Sequence, residues 1–290
     1  MHRSEFFFTA IVYLGTVLGI FMMGFLIIYI SAEGVGLFTS VSPWDFLMSA
    51  DWHPLEQPGH FGILTMWLGS LYSSTIALLL GFPLGIGCAV FVCFCLPERP
   101  RRWLLAFIDM LAGIPSVIFG FIGLMILVRG MERYMLVSSG ECVLSAGILL
   151  AIMILPFIVT NCSESMEYSR QLYEEASSDL GVDKWYMLWK IILPVSVPAF
   201  SVSLILAFSR AMGETMAVMM VMGNSKLLPS LLGKGETIPS LIALEMGSAE
   251  YGSLHYQALY ASGMVLILVL ILCNLAFFCF RHRFRKDHHI

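Results

Sequence analysis

Charge is what this chain has least of. Of its 290 residues only 12% are Asp, Glu, Lys or Arg, while 58% are hydrophobic. A soluble domain carries about 25% charged residues, so a water-soluble globule is excluded. With 16 basic and 20 acidic residues the net charge is −4, which leaves no basic field for nucleic acid. Zinc-ligand spacing is missing from the seven cysteines, Cys88, Cys93, Cys95, Cys142, Cys162, Cys273 and Cys279. They lie mostly in apolar runs and read as small buried side chains. No Walker-type glycine loop, Ser-His-Asp set or metal cluster occurs. The chain therefore points to no catalysis, cofactor or metal of its own, and any ATP chemistry must sit on another chain.

Long apolar runs are what it has most of. A helix needs about 20 apolar residues to cross the hydrocarbon core, and six runs qualify: 7–30, 67–95, 103–128, 142–162, 195–222 and 257–280. The expected fold is an all-α integral membrane protein of six transmembrane helices, one domain over 1–290. The first run is too long for a signal peptide and closes without a small-x-small cleavage site, so it reads as a retained helix.

Basic residues orient the spans. With the N-terminus inside, the inner side holds Arg3, Arg99, Arg101, Arg102, Arg170, Lys184, Lys190, Arg281, Arg283, Arg285 and Lys286. The outer loops hold only Arg129, Arg133, Lys226 and Lys234. Both termini are thus expected in the cytoplasm. The outer segment 31–66 has no Lys or Arg and carries Trp44 and Trp52; Trp52 and Trp67 are expected in the interfacial aromatic belt. The half-apolar outer segment 223–256 has the makeup of a stretch that dips back into the membrane. The tail histidines His282, His288 and His289 have no fixed ligand spacing and read as a solvated tail.

Two charges stand inside the fifth run, in "FSRAMGETMAVMM". An arginine at a helix centre costs about 2.5–3.5 kcal/mol on insertion scales, so it needs a reason. In a continuous helix the spacing would stack Arg210 and Glu214 on one face, with Gly213 beside them allowing close approach. Either the two form a structural ion pair, or they line an anion path. Arg presents a fork of donors suited to oxyanions, and Glu214 can accept a hydrogen bond from a protonated oxyanion. Phosphate near neutral pH carries such a proton; sulfate does not. In the third run "AGIPSVIFGFIGL" places Pro115 before Ser116, predicting a kinked helix. Ser116 either satisfies the freed carbonyl or faces the substrate. The role of Asp109 stays open.

The inner segment 163–194 is polar and helical in character, with Glu175, Ala176 and Ser177, then Gly181, then Leu193-Pro194. Small residues admit a partner surface, and glycine supplies the turned backbone of a helix–Gly–helix elbow. This spacing resembles the coupling loop of ABC importer permeases. "SRAMGETMAVMMVMGN", "GIPSVIFG" and "LIALEMG…GSLHYQALY" extend the resemblance to the permease subunits of the phosphate-specific importer, of PstC type, over roughly residues 40 to 280.

The resemblance implies a six-helix inner-membrane subunit for inorganic phosphate, embedded in the lipid bilayer. It implies a second, PstA-like permease, two copies of a PstB-like ATPase carrying ATP and Mg, and a PstS-like phosphate-binding protein outside. Arg210, Glu214, Gly213 and Ser116 fall in the implied substrate path. Glu175, Ala176, Ser177, Gly181, Leu193 and Pro194 fall in the implied ATPase contact. The competing functions are a permease for sulfate, molybdate or a phosphonate, an ATP-independent carrier or channel, and a membrane scaffold.

Overall fold

The computed structural model describes residues 3–135 and 139–287. His288 and His289, and the side chains of His282 and the basic tail 281–286, lie outside what it describes. In chain order the elements are α1 (Arg3–Val35), α2 (Pro43–Met48), β1 (Trp52–His53), β2 (His60–Phe61), α3 (Leu64–Val90) and α4 (Glu98–Ala112). There follow α5 (Ser116–Ile122), α6 (Arg129–Met135), α7 (Val143–Asp179), α8 (Lys184–Met187) and α9 (Leu193–Met212). The last are α10 (Met216–Val221), α11 (Ile238–Glu245) and α12 (Leu254–Asp287). Three π-helical turns, Phe91–Cys95, Gly123–Val128 and Leu188–Ile192, extend α3, join α5 to α6 and join α8 to α9.

Among the described residues five helices are long and apolar enough to span a bilayer, or six when the pair α4–α5 counts as one. The run expected as a single kinked helix over 103–128 is instead two helices meeting at 92°. Proline forces extended backbone on its neighbour and donates no hydrogen bond, and α5 restarts from Pro115 itself. The run expected over 195–222 also divides, at Gly213–Thr215, into α9 and α10.

The described residues fold as two compact units. The smaller holds those up to Ile63 together with Ile242–Leu268. Its core gathers Leu37, Phe46, Trp52 and Ile63, each at most 1% exposed. Trp52 is therefore buried rather than in the interfacial belt. Its indole N–H donates to Glu245 Oε2 at 2.9 Å, and the same oxygen lies 2.8 Å from His255 Nε2. A buried indole needs such a partner, and this one stands 193 residues away along the chain. Trp44, by contrast, is exposed.

The larger unit, Leu64–Leu241 and Val269 onward, is built on α3 against α7. Close approach comes from small residues: a Cβ on Gly85 would sit 2.6 Å from Ile158, and one on Gly147 would strike Ile76. The α7 helix has 37 residues, about 55 Å at 1.5 Å per residue. A hydrocarbon core is about 30 Å thick, so nearly half of α7 projects beyond it. At its start the otherwise orphaned N–H groups of Cys142, Val143 and Leu144 donate to the carbonyls of Val221, Gly233 and Leu231. The segment after α10 thereby seals the end of α7. Gly223 and Asn224 both take positive φ (88° and 46°) to turn the chain there, and Asn224 Nδ2 donates back to the Met219 carbonyl.

Candidate functional site

The residues expected in the substrate path sit at the two breaks of the larger unit. The α9 helix ends at Met212, and Gly213 closes it with ordinary helical angles (φ −88°, ψ −3°). Its N–H donates to the Ser209 carbonyl at 3.2 Å. Arg210 thus occupies the last turn of α9, exposed. A cation there meets the negative end of the helix dipole and its unsatisfied carbonyls.

Glu214 does not lie on the same helix as Arg210, which corrects the expected i, i+4 stack. It is half-buried in the gap, and its Oε1 accepts a long bond of 3.5 Å from the Ala217 N–H, starting α10. No ion pair joins it to Arg210 among the described residues, and no carboxylate lies within 4.0 Å of that arginine. The spacing misled because it assumed a continuous helix, whereas α9 ends at Met212 and α10 starts only at Met216.

Ser116, half-buried, begins α5 after Pro115. The α5 and α10 helices pack directly together. A Cβ on Gly120 would stand 2.8 Å from Met220 Sδ and 3.0 Å from the Ala217 Cα. The two restarted helices therefore share an interface a turn beyond their breaks. Asp109, whose role the sequence left open, accepts from the Thr160 hydroxyl at 3.1 Å and ties α4 to α7.

The second set forms an elbow at the far end of α7. The helix closes in a Schellman motif: Gly181 N–H donates to Ser178 O at 3.0 Å, and Val182 N–H to Ser177 O at 2.9 Å. Gly181 takes φ +67°, as that closure requires. Asp183 then starts α8, its Oδ2 accepting from the Trp185 N–H at 3.0 Å. Glu175 and Ala176 are exposed, whereas Ser177 is buried, so only the first two present themselves to a partner. Leu193 is half-buried and Pro194 exposed in the first turn of α9. The sequence reading passed over Trp185, Tyr186 and Trp189, all more than half exposed on this arm. The i, i+4 spacing of the two tryptophans in a polar loop was the available signal.

Membrane-length helices, one of them sharply broken, and a glycine-hinged elbow at one end define a multi-span membrane protein. More narrowly, the chain belongs to the family of binding-protein-dependent transport system inner membrane components, whose family model matches residues 81–287. A probable phosphate transport system permease protein PstC of Methanocaldococcus jannaschii is 34% identical over 261 residues, 83% of this chain and 82% of that protein. A phosphate transport system permease protein PstC of Xylella fastidiosa is 37% identical over 244 residues, 77% of this chain and 74% of its own. A probable ABC transporter permease protein YqgH of Bacillus subtilis is 33% identical over 83% of this chain and 79% of its own.

The fold likeness runs wider. A chain of a bacterial alginate ABC importer matches 97% of this chain and 99% of its own, with TM-score 0.62 at 17% identity. A chain of the inward-facing MetNI methionine transporter matches 74% of this chain and 92% of its own, with TM-score 0.58 at 14% identity.

Proposed function

We propose that this chain is the permease subunit that passes inorganic phosphate across the cell inner membrane in an ATP-driven importer, with both termini in the cytoplasm. The observation that carries the substrate is Arg210, exposed and, among the described residues, without a carboxylate partner in a membrane-embedded helix end, with Glu214 in the adjoining break. Were the two paired, an anion would have to break the pair to bind. Separated, the guanidinium offers donors to phosphate oxygens, and Glu214 accepts from the proton that phosphate retains. Phosphate permeases among the relatives support the same substrate.

In this reading a PstS-like binding protein delivers phosphate outside, and a PstA-like permease completes the path with Ser116 and Gly213 from this chain. Two PstB-like ATPases hold ATP and Mg. One of them grips the elbow at Glu175, Ala176 and Gly181, ahead of Leu193 and Pro194. This chain performs no hydrolysis; it moves when its partners close.

The test is uptake of labelled phosphate by the reconstituted four-component complex, with sulfate as control. ATP-dependent phosphate uptake that is lost in an intact Arg210→Gln complex supports the reading. Uptake that survives that substitution removes Arg210 from the path. A wild-type complex that carries sulfate and not phosphate overturns the substrate.

A further inference from the structure

Between the elbow and the breaks lies a set of charged side chains with no part in the reading above. Glu167, Arg170 and Glu174 recur at helical spacing along the inner end of α7, so they share one stripe. The stripe faces the connection between α3 and α4.

Arg170 is fully engaged. Its Nε and Nη2 hold the two oxygens of Glu174 at 3.0 and 2.8 Å, while Nη1 donates to the Cys93 carbonyl at 2.8 Å. Its guanidinium carbon also lies 5.8 Å from the centre of the Phe94 ring. The Cys93 carbonyl needs an outside donor. The chain there is in the π-helical turn Phe91–Cys95, Leu96 is extended, and Pro97 has no N–H to give. From the opposite side, Arg101 of α4 reaches back to Glu167 Oε2 at 2.7 Å. Arg101 and Glu167 are both less than a quarter exposed, so solvent and salt weaken this pair less than a surface one, whereas Glu174 is nearly half exposed.

We propose that Arg170 is the positioning residue that locks the end of α3 to α7, beside the Arg101–Glu167 pair that ties α4 to α7, so that movement imposed on the elbow reaches the α4–α5 break as a rigid-body shift. The inference rests on the importer reading. Glu174 immediately precedes the elbow at Glu175, and α4 runs unbroken from Arg101 to the turn before Pro115. The clamp therefore joins the arm a partner would push to the helix that ends at the break before Ser116. Lysine cannot replace the fork, because a point charge cannot hold a carboxylate bidentately and a carbonyl as well.

The experiment uses the whole reconstituted importer with Arg170→Met and Arg170→Lys. Phosphate moved per ATP hydrolysed should fall about three- to tenfold in Arg170→Met and by less in Arg170→Lys. A purely structural role would lower uptake and hydrolysis together and leave the ratio unchanged, which overturns the proposal. Alkylation of Cys93 by N-ethylmaleimide, read by peptide mass, provides a readout independent of transport. Cys93 is fully buried in the wild type and should become reactive when the clamp opens; unchanged protection in Arg170→Met also overturns it. If Arg170→Met fails to assemble, Arg170→Lys decides on the same two readouts. If the wild type takes up no phosphate, the importer reading fails, and the clamp is judged on Cys93 alone.

Discussion

Two helices of the larger unit are each interrupted by three residues, Gly113–Pro115 and Gly213–Thr215, and the two interruptions begin alike. Gly113 closes α4 at φ −84°, ψ −6°, and Gly213 closes α9 at φ −88°, ψ −3°. They then diverge. The first is enforced by covalent structure: Pro115 sits in extended backbone at φ −57°, ψ 138°, and α5 leaves at 92° to α4. The second contains no proline, and α10 restarts with the Glu214 carboxylate accepting the Ala217 N–H. One break is built into the chain; the other leans on a charge. A break that depends on a carboxylate can respond to what that carboxylate binds, and a proline break cannot.

The largest effect should come from parting the helices that the two breaks create. Gly120 leaves no room for a side chain against Met220 and the Ala217 backbone. Gly120→Leu should overpack this interface by about 3 kcal/mol and lower the melting midpoint of the detergent-solubilised complex by roughly 5–10 °C. An unchanged midpoint would mean that the breaks do not depend on each other.

Next comes the charge-dependent break. Glu214→Gln keeps an oxygen for the Ala217 N–H but removes the charge, whereas Glu214→Ala removes both. The alanine variant should lose about 1 kcal/mol of stability and the glutamine variant a few tenths. Both should lose about tenfold or more in phosphate uptake, the worth of one hydrogen bond to a charged group. Melting and uptake measured on the same preparations separate the cap from the path.

The contrast between the breaks also marks how far the chain could be read beforehand. Apolar runs are legible because a bilayer demands about 20 apolar residues wherever a helix crosses, and the Schellman turn at Gly181 is legible because few other residues accept that backbone. Pro115 announced an interruption, though not that it would reach 92°. The break at Gly213 was illegible, because glycine, glutamate and threonine are all tolerated within helices and the capping bond is a choice made by the folded chain. Trp52 was misread for a related reason. Interface and core look alike to a lone tryptophan until its distant partner, Glu245, is known. The Arg170 clamp was hidden because Pro97 shows that the Cys93 carbonyl lacks its i+4 donor but not which distant side chain supplies one.

Pro115→Ala probes the covalent break. The native angles suit proline and no hydrogen bond is missing there, so alanine should cost only about 0.4–1 kcal/mol, mostly by freeing the unfolded chain. Spin labels at the exposed positions Met110 and Val117 should report a broader distance distribution whose mean moves toward a straight helix. An unchanged mean would show that packing rather than proline holds the bend.

Gly213→Ala should have the smallest effect on the fold and is the most selective for function. Glycine is not required by the backbone here, since φ is −88°. Nor is it required by packing, since an added Cβ would meet only the Ser209 and Arg210 carbonyls, at 3.5 and 3.9 Å. Stability should therefore hold or rise by a few tenths of a kcal/mol as chain freedom is reduced. If glycine serves the close passage of an anion between Arg210 and Glu214, uptake should still fall, by about two- to threefold, the cost of a methyl group partly obstructing a bound ligand. Uptake that follows stability upward would instead make residue 213 a simple helix end, and would place the path on the side chains of Arg210 and Glu214 alone.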